Sequence, residues 1–178
     1  EYGYWLGTYD QQILEAIACL CQPGWTVWDC GTYLGYYTCN FARFVGPRGH
    51  VVAFEPDPTN LARTRENVAL NGFTNVTFRN AAIGTPAGEV DFVVSGNTNS
   101  HLPGMWLGAT RERYGAIERV QQTIRVRCLS LDEALGADGA GRPDLVKIDI
   151  EGAEQFALPH TDKLCREVKP HIVLELHN

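Results

Sequence analysis

The chain lacks the marks of a membrane, nucleic-acid or disulfide-built protein. No stretch approaches the roughly 20 apolar residues that a spanning helix needs. The N-terminal residues show no charged head followed by an apolar core. No membrane partner is therefore expected, and the cytoplasm is the expected location. Clustered basic charge is missing too: 15 Lys and Arg stand against 21 Asp and Glu, a net charge of −6. Phosphate backbones need concentrated cations. The one loose enrichment, Arg111, Arg113, Arg119, Arg125 and Arg127, reads as a solvated charged face, so nucleic acid is not an expected partner. The six cysteines, Cys19, Cys21, Cys30, Cys39, Cys128 and Cys165, form no C-x-x-C pair. Their mostly apolar surroundings predict buried reduced thiols rather than a disulfide or zinc framework.

What is present is an ordinary globular composition. The 178 residues are 44% hydrophobic and 20% charged, enough for one substantial core and hence a single domain over residues 1–178. Ile13, Leu14, Ile17, Ala18 and Leu20 fall at helical spacing, so residues 10–21 predict an amphipathic helix that Pro23 and Gly24 stop. Residues 26–30 form a short apolar strand, a helix follows Gly35, and residues 50–56 form a second buried strand. Asp57 is a natural N-cap with Pro58 in the first helical position, and residues 75–80 make a third strand. Strand, helix, strand, helix, strand with short connections is the signature of a parallel α/β sheet with a switch point beside the first strand.

Further on, residues 89–94 suggest an extra strand paired back antiparallel. Residues 95–120 are polar and aperiodic, with His101, Trp106 and Tyr114 dispersed in them. A connection of that length in a compact domain suggests a functional lid or insertion, or a merely mobile surface loop. Ile124, Val126 and Cys128 alternate as a strand, and Ser130 with Glu133 suggests a capping box. Residues 144–150 and 171–177 are two more buried strands.

Ligands of open α/β sheets bind beyond the carboxyl ends of the strands. Those ends carry Asp29 and Gly31, Glu55 and Pro56, Asn80 and Ala81, Asp149 and Glu151, and Glu175 and His177. Charged groups are costly beside buried strands unless something uses them, so acids at most of these ends point to a ligand site. The turn in TVWDCGTYLGYY is not a dinucleotide fingerprint. Tyr33 stands where the second glycine of G-x-G-x-x-G should admit the pyrophosphate, and Asp29 ahead of the turn would repel it. An acid, a tight glycine turn and a glutamate able to take both hydroxyls of a ribose describe S-adenosylmethionine better than NAD. Tyr33, Tyr36 and Tyr37 would suit a sulfonium, or pack as ordinary core aromatics. Lys147, inside an apolar strand, is expected to pair with a nearby carboxylate. No acid has dedicated metal spacing, so no metal ligand is assigned.

DCGTYLGYYT, FEPDP, KIDIEGAE and LELH, preceded by YWLGTYD, together resemble the FkbM-type family of S-adenosylmethionine-dependent methyltransferases. The resemblance covers nearly the whole chain, and KIDIEGAE is its most specific part. It implies a class I methyltransferase fold: a Rossmann-like three-layer α/β sandwich with a mostly parallel sheet. That fold normally adds an antiparallel hairpin after its fifth strand; either those strands follow Asn178, or the sheet is truncated and its edge exposed. It also implies S-adenosyl-L-methionine as cofactor and methylation of a hydroxyl on a small sugar or polyketide-like acceptor. Carried over, Asp29, Gly31 and Gly35 would hold the methionine part, with Thr32, Tyr33, Tyr37 and Thr38 around them. Glu55 and Pro56 would face the ribose, Asn80 and Ala81 the adenine edge, and Asp149 with Glu151 the acceptor side of the pocket. Tyr33 departs from the Asn or small residue usual in the family. The acceptor's proton would pass to Asp149, Glu151, His177 or His101. A nicotinamide-dependent oxidoreductase and a non-catalytic metabolite- or partner-binding domain of the same fold are the competing readings.

Overall fold

The computed structural model describes Gly3, residues 9–95 and residues 121–176. His101, Trp106, Tyr114, His177 and nearly all of the 95–120 segment lie outside them. Helix α1, Gln11–Leu20, lays Ile17 against the sheet. Strand β1, Thr26–Cys30, is buried from Val27 onward. Helix α2, Tyr36–Val45, turns Tyr37, Thr38, Phe41, Ala42 and Val45 inward. Strand β2, His50–Phe54, follows. Helix α3, Pro58–Leu70, starts where Asp57 Oδ1 accepts the Thr59 and Asn60 N–H groups at 2.8 and 3.4 Å, as its sequence signal predicts. Strand β3, Val76–Arg79, completes the first half.

The third strand ends earlier than its apolar pattern suggests. Asn80 does not continue it, because its side-chain amide folds back to donate to the carbonyls of Glu55 and Pro56, each at 2.9 Å. Ala81 then opens a separate strand, β4, Ala81–Ile83. Strands β5, Gly88–Ser95, and β6, Gln121–Leu129, pair antiparallel, and β4 joins β6 in parallel to complete a small second sheet ordered β4-β6-β5. Helix α4, Leu131–Ala134, carries the expected capping box between Ser130 and Glu133. Strand β7, Leu145–Ile148, leads through the short helix α5, Glu154–Ala157, a 3-10 turn at Leu158–His160 and a π turn at Leu164–Val168 to strand β8, His171–Leu174.

The main sheet is ordered β3-β2-β1-β7-β8 and all its pairs are parallel. Its order reverses between β1 and β7, the switch point expected beside the first strand. One face packs Val27, Val51 and Leu145 under Ile17, Phe41 and Val45 of α1 and α2. The other packs Trp28, Val52, Phe54, Val146 and Ile148 against Leu131 and Leu164. Each such fully buried side chain contributes about 1.5–3 kcal/mol, and the indole of Trp28 also donates to Ala140 O at 2.9 Å. The result is the three-layer α/β sandwich. The cysteines are all unpaired, but only Cys21, Cys30 and Cys128 are buried; Cys39 is half-buried, and Cys19 and Cys165 are exposed, against the expectation of burial. Among the described residues no helix is long and apolar enough to cross a membrane.

Candidate functional site

The turn after β1 is fixed on three sides. Gly31 N–H and Thr32 N–H both donate to Phe54 O, at 3.0 and 3.3 Å. Gly31 has φ +85°, and a Cβ there would lie 1.8 Å from the carbonyl oxygen of Asp149. The end of β7 therefore closes directly onto this glycine. Gly35, the N-cap of α2 at φ +83°, leaves room for Thr64 of α3. Between them Tyr33 holds φ +50°, a region glycine adopts far more readily. Its N–H donates to Glu55 Oε2 at 2.9 Å and its carbonyl accepts from the Thr64 hydroxyl at 2.8 Å. Asn67 of α3 donates to the carbonyl of Leu34 at 2.8 Å.

Glu55 sits at the end of β2 with 5% exposure. Its other oxygen, Oε1, accepts the Asp57 N–H at 3.0 Å. Burial pushes its carboxyl up to about 8, against the pull of the Asp57 and Tyr33 donors. In its ionised form Glu55 has about four lone-pair positions, so it can then brace the turn and still accept hydroxyl hydrogens. Pro56 follows it in the chain, its carbonyl held by Asn80. Asn80 is thus a brace of the Glu55 loop, and Ala81 is buried at the start of β4.

Asp29 is fully buried at the end of β1. Its Oδ2 accepts the Thr38 hydroxyl at 2.5 Å, while Oδ1 has no hydrogen-bond partner among the described residues. Burial raises its carboxyl to about 6; Lys147 and the Thr38 hydrogen bond lower it, and Asp149 raises it further. Lys147 is its cross-strand neighbour in the β1–β7 register. The Lys147 ammonium lies 2.8 Å from Asp149 Oδ2 and 4.3 Å from the centre of the Tyr37 ring, the carboxylate pairing its place in the strand predicts. Tyr37 donates to Asp10 Oδ2 at 3.2 Å, and burial with Asp10 pushes its phenol above its ordinary range. Tyr36 donates to Tyr9 O at 2.9 Å. These two tyrosines therefore tie α2 to the segment ahead of α1, and the Tyr37 ring carries a cation of the protein itself.

Beyond β7, Glu151 has φ +53° and Gly152 φ +93°. This left-handed pair is held by Glu154, 2% exposed, whose Oε1 accepts the N–H groups of Ile150 and Gly152 at 3.0 and 3.3 Å. Sequence reasoning missed Glu154. An acid two residues after the glycine of KIDIEGAE was the available signal, but only the tight turn shows that it folds back onto its own loop. Asp29, Gly31, Thr32, Tyr33, Gly35, Thr38, Glu55, Lys147, Asp149 and Glu151 all stand at the carboxyl end of the sheet around the switch point. That arrangement can accept a cation at Asp29 and hydroxyl groups at Glu55.

The sheet order, the turn after its first strand and the acids around it define a class I methyltransferase fold. The sequence matches the methyltransferase FkbM domain over residues 29–178, and the chain belongs to that family. It is similar to the hexuronic acid methyltransferase AglP of Haloferax volcanii, 21% identical over 168 residues, covering 94% of this chain and 62% of that protein. A shorter similarity, 44% identity over 62 residues, links 35% of this chain to 16% of the arsenite methyltransferase of Halobacterium salinarum. The chain therefore spans 62% and 16% of the lengths of these two curated relatives. Among solved structures, the precorrin-6y C5,15-methyltransferase of Geobacter metallireducens superposes with a TM-score of 0.52 at 17% identity, covering 93% of this chain and 62% of that one.

Proposed function

We propose that the protein is an S-adenosylmethionine-dependent methyltransferase acting on a hydroxyl of a sugar or related small natural product. The observation that carries the reading is the pair of buried acids flanking the glycine turn at the switch point. Asp29 offers an acceptor oxygen without a hydrogen-bond partner among the described residues, and Glu55 stands one strand away. A buried acceptor of that kind suits an ammonium group, and a carboxylate at the end of the second strand suits the two hydroxyls of a ribose. The residues present thus fit the cofactor. Asp29 with Thr38, and the turn of Gly31, Thr32, Tyr33 and Gly35, would hold its amino-acid end beside Tyr37. Glu55 and Pro56 would hold the ribose, Asn80 and Ala81 would border the adenine, and Asp149 would border both cofactor and acceptor.

S-adenosylmethionine, when bound, supplies a methyl group on a positively charged sulfur. The chain's own work is alignment, exclusion of water and removal of the acceptor's proton. That proton would pass to an oxygen of Asp149 or Glu151 beyond β7, or to a ring nitrogen of His177 or His101. Of these, Asp149 adjoins the Gly31 turn, where its carbonyl closes on the glycine. The reading takes residues 1–178 as one catalytic domain, with residues 95–120 as the acceptor-binding segment, working on a small molecule in the cytoplasm. The relation to a hexuronic acid methyltransferase favours an acidic sugar as the first acceptor to try.

Thermal melting with S-adenosylhomocysteine, set against NAD, tests the cofactor. Stabilisation by S-adenosylhomocysteine is expected, and stabilisation by NAD alone would sink the proposal. Transfer of a labelled methyl group to a panel of hexuronic acids and neutral sugars tests the acceptor. Cofactor binding with no transfer to any hydroxylated acceptor would favour a non-catalytic binding domain.

A further inference from the structure

The least expected charge in the sheet is Lys147, an ammonium with 2% exposure. Burying a cation costs several kcal/mol unless partners compensate for the lost water. Lys147 has such partners on several sides: Asp149 Oδ2 at 2.8 Å, the Tyr37 ring at 4.3 Å, and Asp29 as its cross-strand neighbour. We propose that Lys147 is a positioning residue of the cofactor cradle: it is the shared counter-ion between the carboxylate of Asp29 on β1 and that of Asp149 just beyond β7.

The inference rests on the methyltransferase reading only for the identity of the ligand; the charge arrangement stands by itself. Asp29 is fully buried and Asp149 is part-buried, 23% exposed; a buried carboxylate with a second acid acting on it and no cation beside it does not stay ionised at low cost. One shared ammonium removes that conflict and still leaves the pair with a net negative charge, suited to a cationic ligand. The other groups around Asp29 do not supply the missing charge. From α2 come the Thr38 hydroxyl and the Tyr37 phenol, the latter bound to Asp10. From beyond β8 comes Glu175, another acid, which acts on Tyr37. The thiols of Cys30 and Cys39 are both raised by burial and by Asp29. Lys147 is the cation among the described groups that act on Asp29.

The test is a direct titration of Asp29 by NMR of the protein labelled at aspartate carboxyl carbons, with its signal assigned through Asp29→Asn. The labelling leaves Glu55 out of the spectrum. In Lys147→Met the Asp29 step is expected at least one unit above its wild-type position. One unit above about 6 cuts the ionised fraction of Asp29 at pH 7 from about nine-tenths to about half, so S-adenosylhomocysteine affinity there is expected to fall about twofold or more. Asp149→Asn is expected to move the step downward, because it removes a like charge. If Lys147→Met does not fold, the double variant Lys147→Met/Asp149→Asn and the single Asp149→Asn carry the test. In the double variant the step should still lie above wild type. A packing role alone would lower the melting temperature at every pH and leave the Asp29 step in place. An unmoved step in Lys147→Met, or an unmoved or raised step in Asp149→Asn, would overturn the inference. Failure of the wild-type protein to bind S-adenosylhomocysteine at any pH would instead remove the cofactor reading and leave the titration result standing.

Discussion

At the ends of β1 and β2, Asp29 and Glu55 are sunk into the fold at 0% and 5% exposure, and burial raises both carboxyls, to about 6 and about 8. At the end of β7 the acids are held differently. Asp149 is ion-paired to Lys147, Glu151 rides a left-handed turn, and Glu154 is bound to the backbone N–H groups beneath it. The first region keeps its geometry and leaves its charge conditional on pH. The second secures charge and backbone together, through an ammonium and two N–H donors. Such a division suits a site in which one side must adapt to a cationic ligand and the other must present an oxygen at a fixed place.

The largest expected effect comes where the two regions touch. Gly31→Ala puts a methyl group 1.8 Å from the Asp149 carbonyl, at a φ of +85° that alanine disfavours. Neither side can yield without pulling β1 and β7 apart, so a loss of about 5 kcal/mol is expected, in the range that marks a structural break. Urea denaturation followed by circular dichroism measures it. A loss under about 1 kcal/mol would mean that the strand ends are looser than their packing indicates.

The second effect separates the regions by pH. Glu55 has its carboxyl raised from an ordinary 4.5 to about 8. Between those values the folded protein keeps a proton that the unfolded chain gives up. Its contribution to stability is therefore complete below about pH 4.5 and lost as the pH rises through about 8. Asp29 acts with the same sign, from 3.8 to about 6. The wild-type protein should lose several kcal/mol across this span, roughly 5 through Glu55 and roughly 3 through Asp29. In Glu55→Gln the decline should end about one unit above the Asp29 value of about 6, where Asp29 has nearly finished titrating. Melting temperatures from pH 4 to pH 9 check this, and an unchanged slope beyond that point in the variant would show that Glu55 is not the titrating group.

On the β7 side, Glu154→Ala removes the acceptor of two backbone N–H groups and should cost about 1–3 kcal/mol. Glu154→Gln offers a carbonyl to the same two donors and should recover most of that. S-adenosylhomocysteine affinity should stay at its wild-type value in both variants while methyl transfer falls in the alanine variant. Affinity falling in step with transfer would mean that the two regions do not divide the work.

How far these regions were legible in the sequence follows the same line. The β1–β2 side was readable because each element carries local signals: the Pro58 helix start under Asp57, the glycines of the turn, the acids ending short apolar strands. The β5–β6 pairing and the Ser130–Glu133 box were equally local. The exit of the chain from the main sheet at Asn80 was not, because it depends on an amide reaching back 25 residues to Glu55. Nor was the work of Glu154, which resembles any acid at a helix start until the Gly152 turn brings it back under Ile150. Lys147 could be predicted to have a partner, but not to face Asp29 across a register that only the folded sheet sets.

The smallest expected effect concerns Tyr33, which occupies a glycine-like conformation at φ +50° without being glycine. Holding an ordinary residue there costs about 1–2 kcal/mol, and glycine would relieve that while loosening the unfolded chain by about 0.5–1 kcal/mol. The two nearly cancel, and the backbone bonds to Glu55 and Thr64 do not need the side chain. Tyr33→Gly should therefore leave stability within about 1 kcal/mol. If the ring faces the cationic end of the cofactor, S-adenosylhomocysteine should still bind, and S-adenosylmethionine should bind about threefold more weakly, the value of an exposed cation–aromatic contact. NAD should gain nothing, because Asp29 would still repel its phosphates from the other side of the turn. Equal affinities for S-adenosylmethionine in variant and wild type would return Tyr33 to packing, and gained NAD binding would show that its side chain, rather than Asp29, excludes the pyrophosphate.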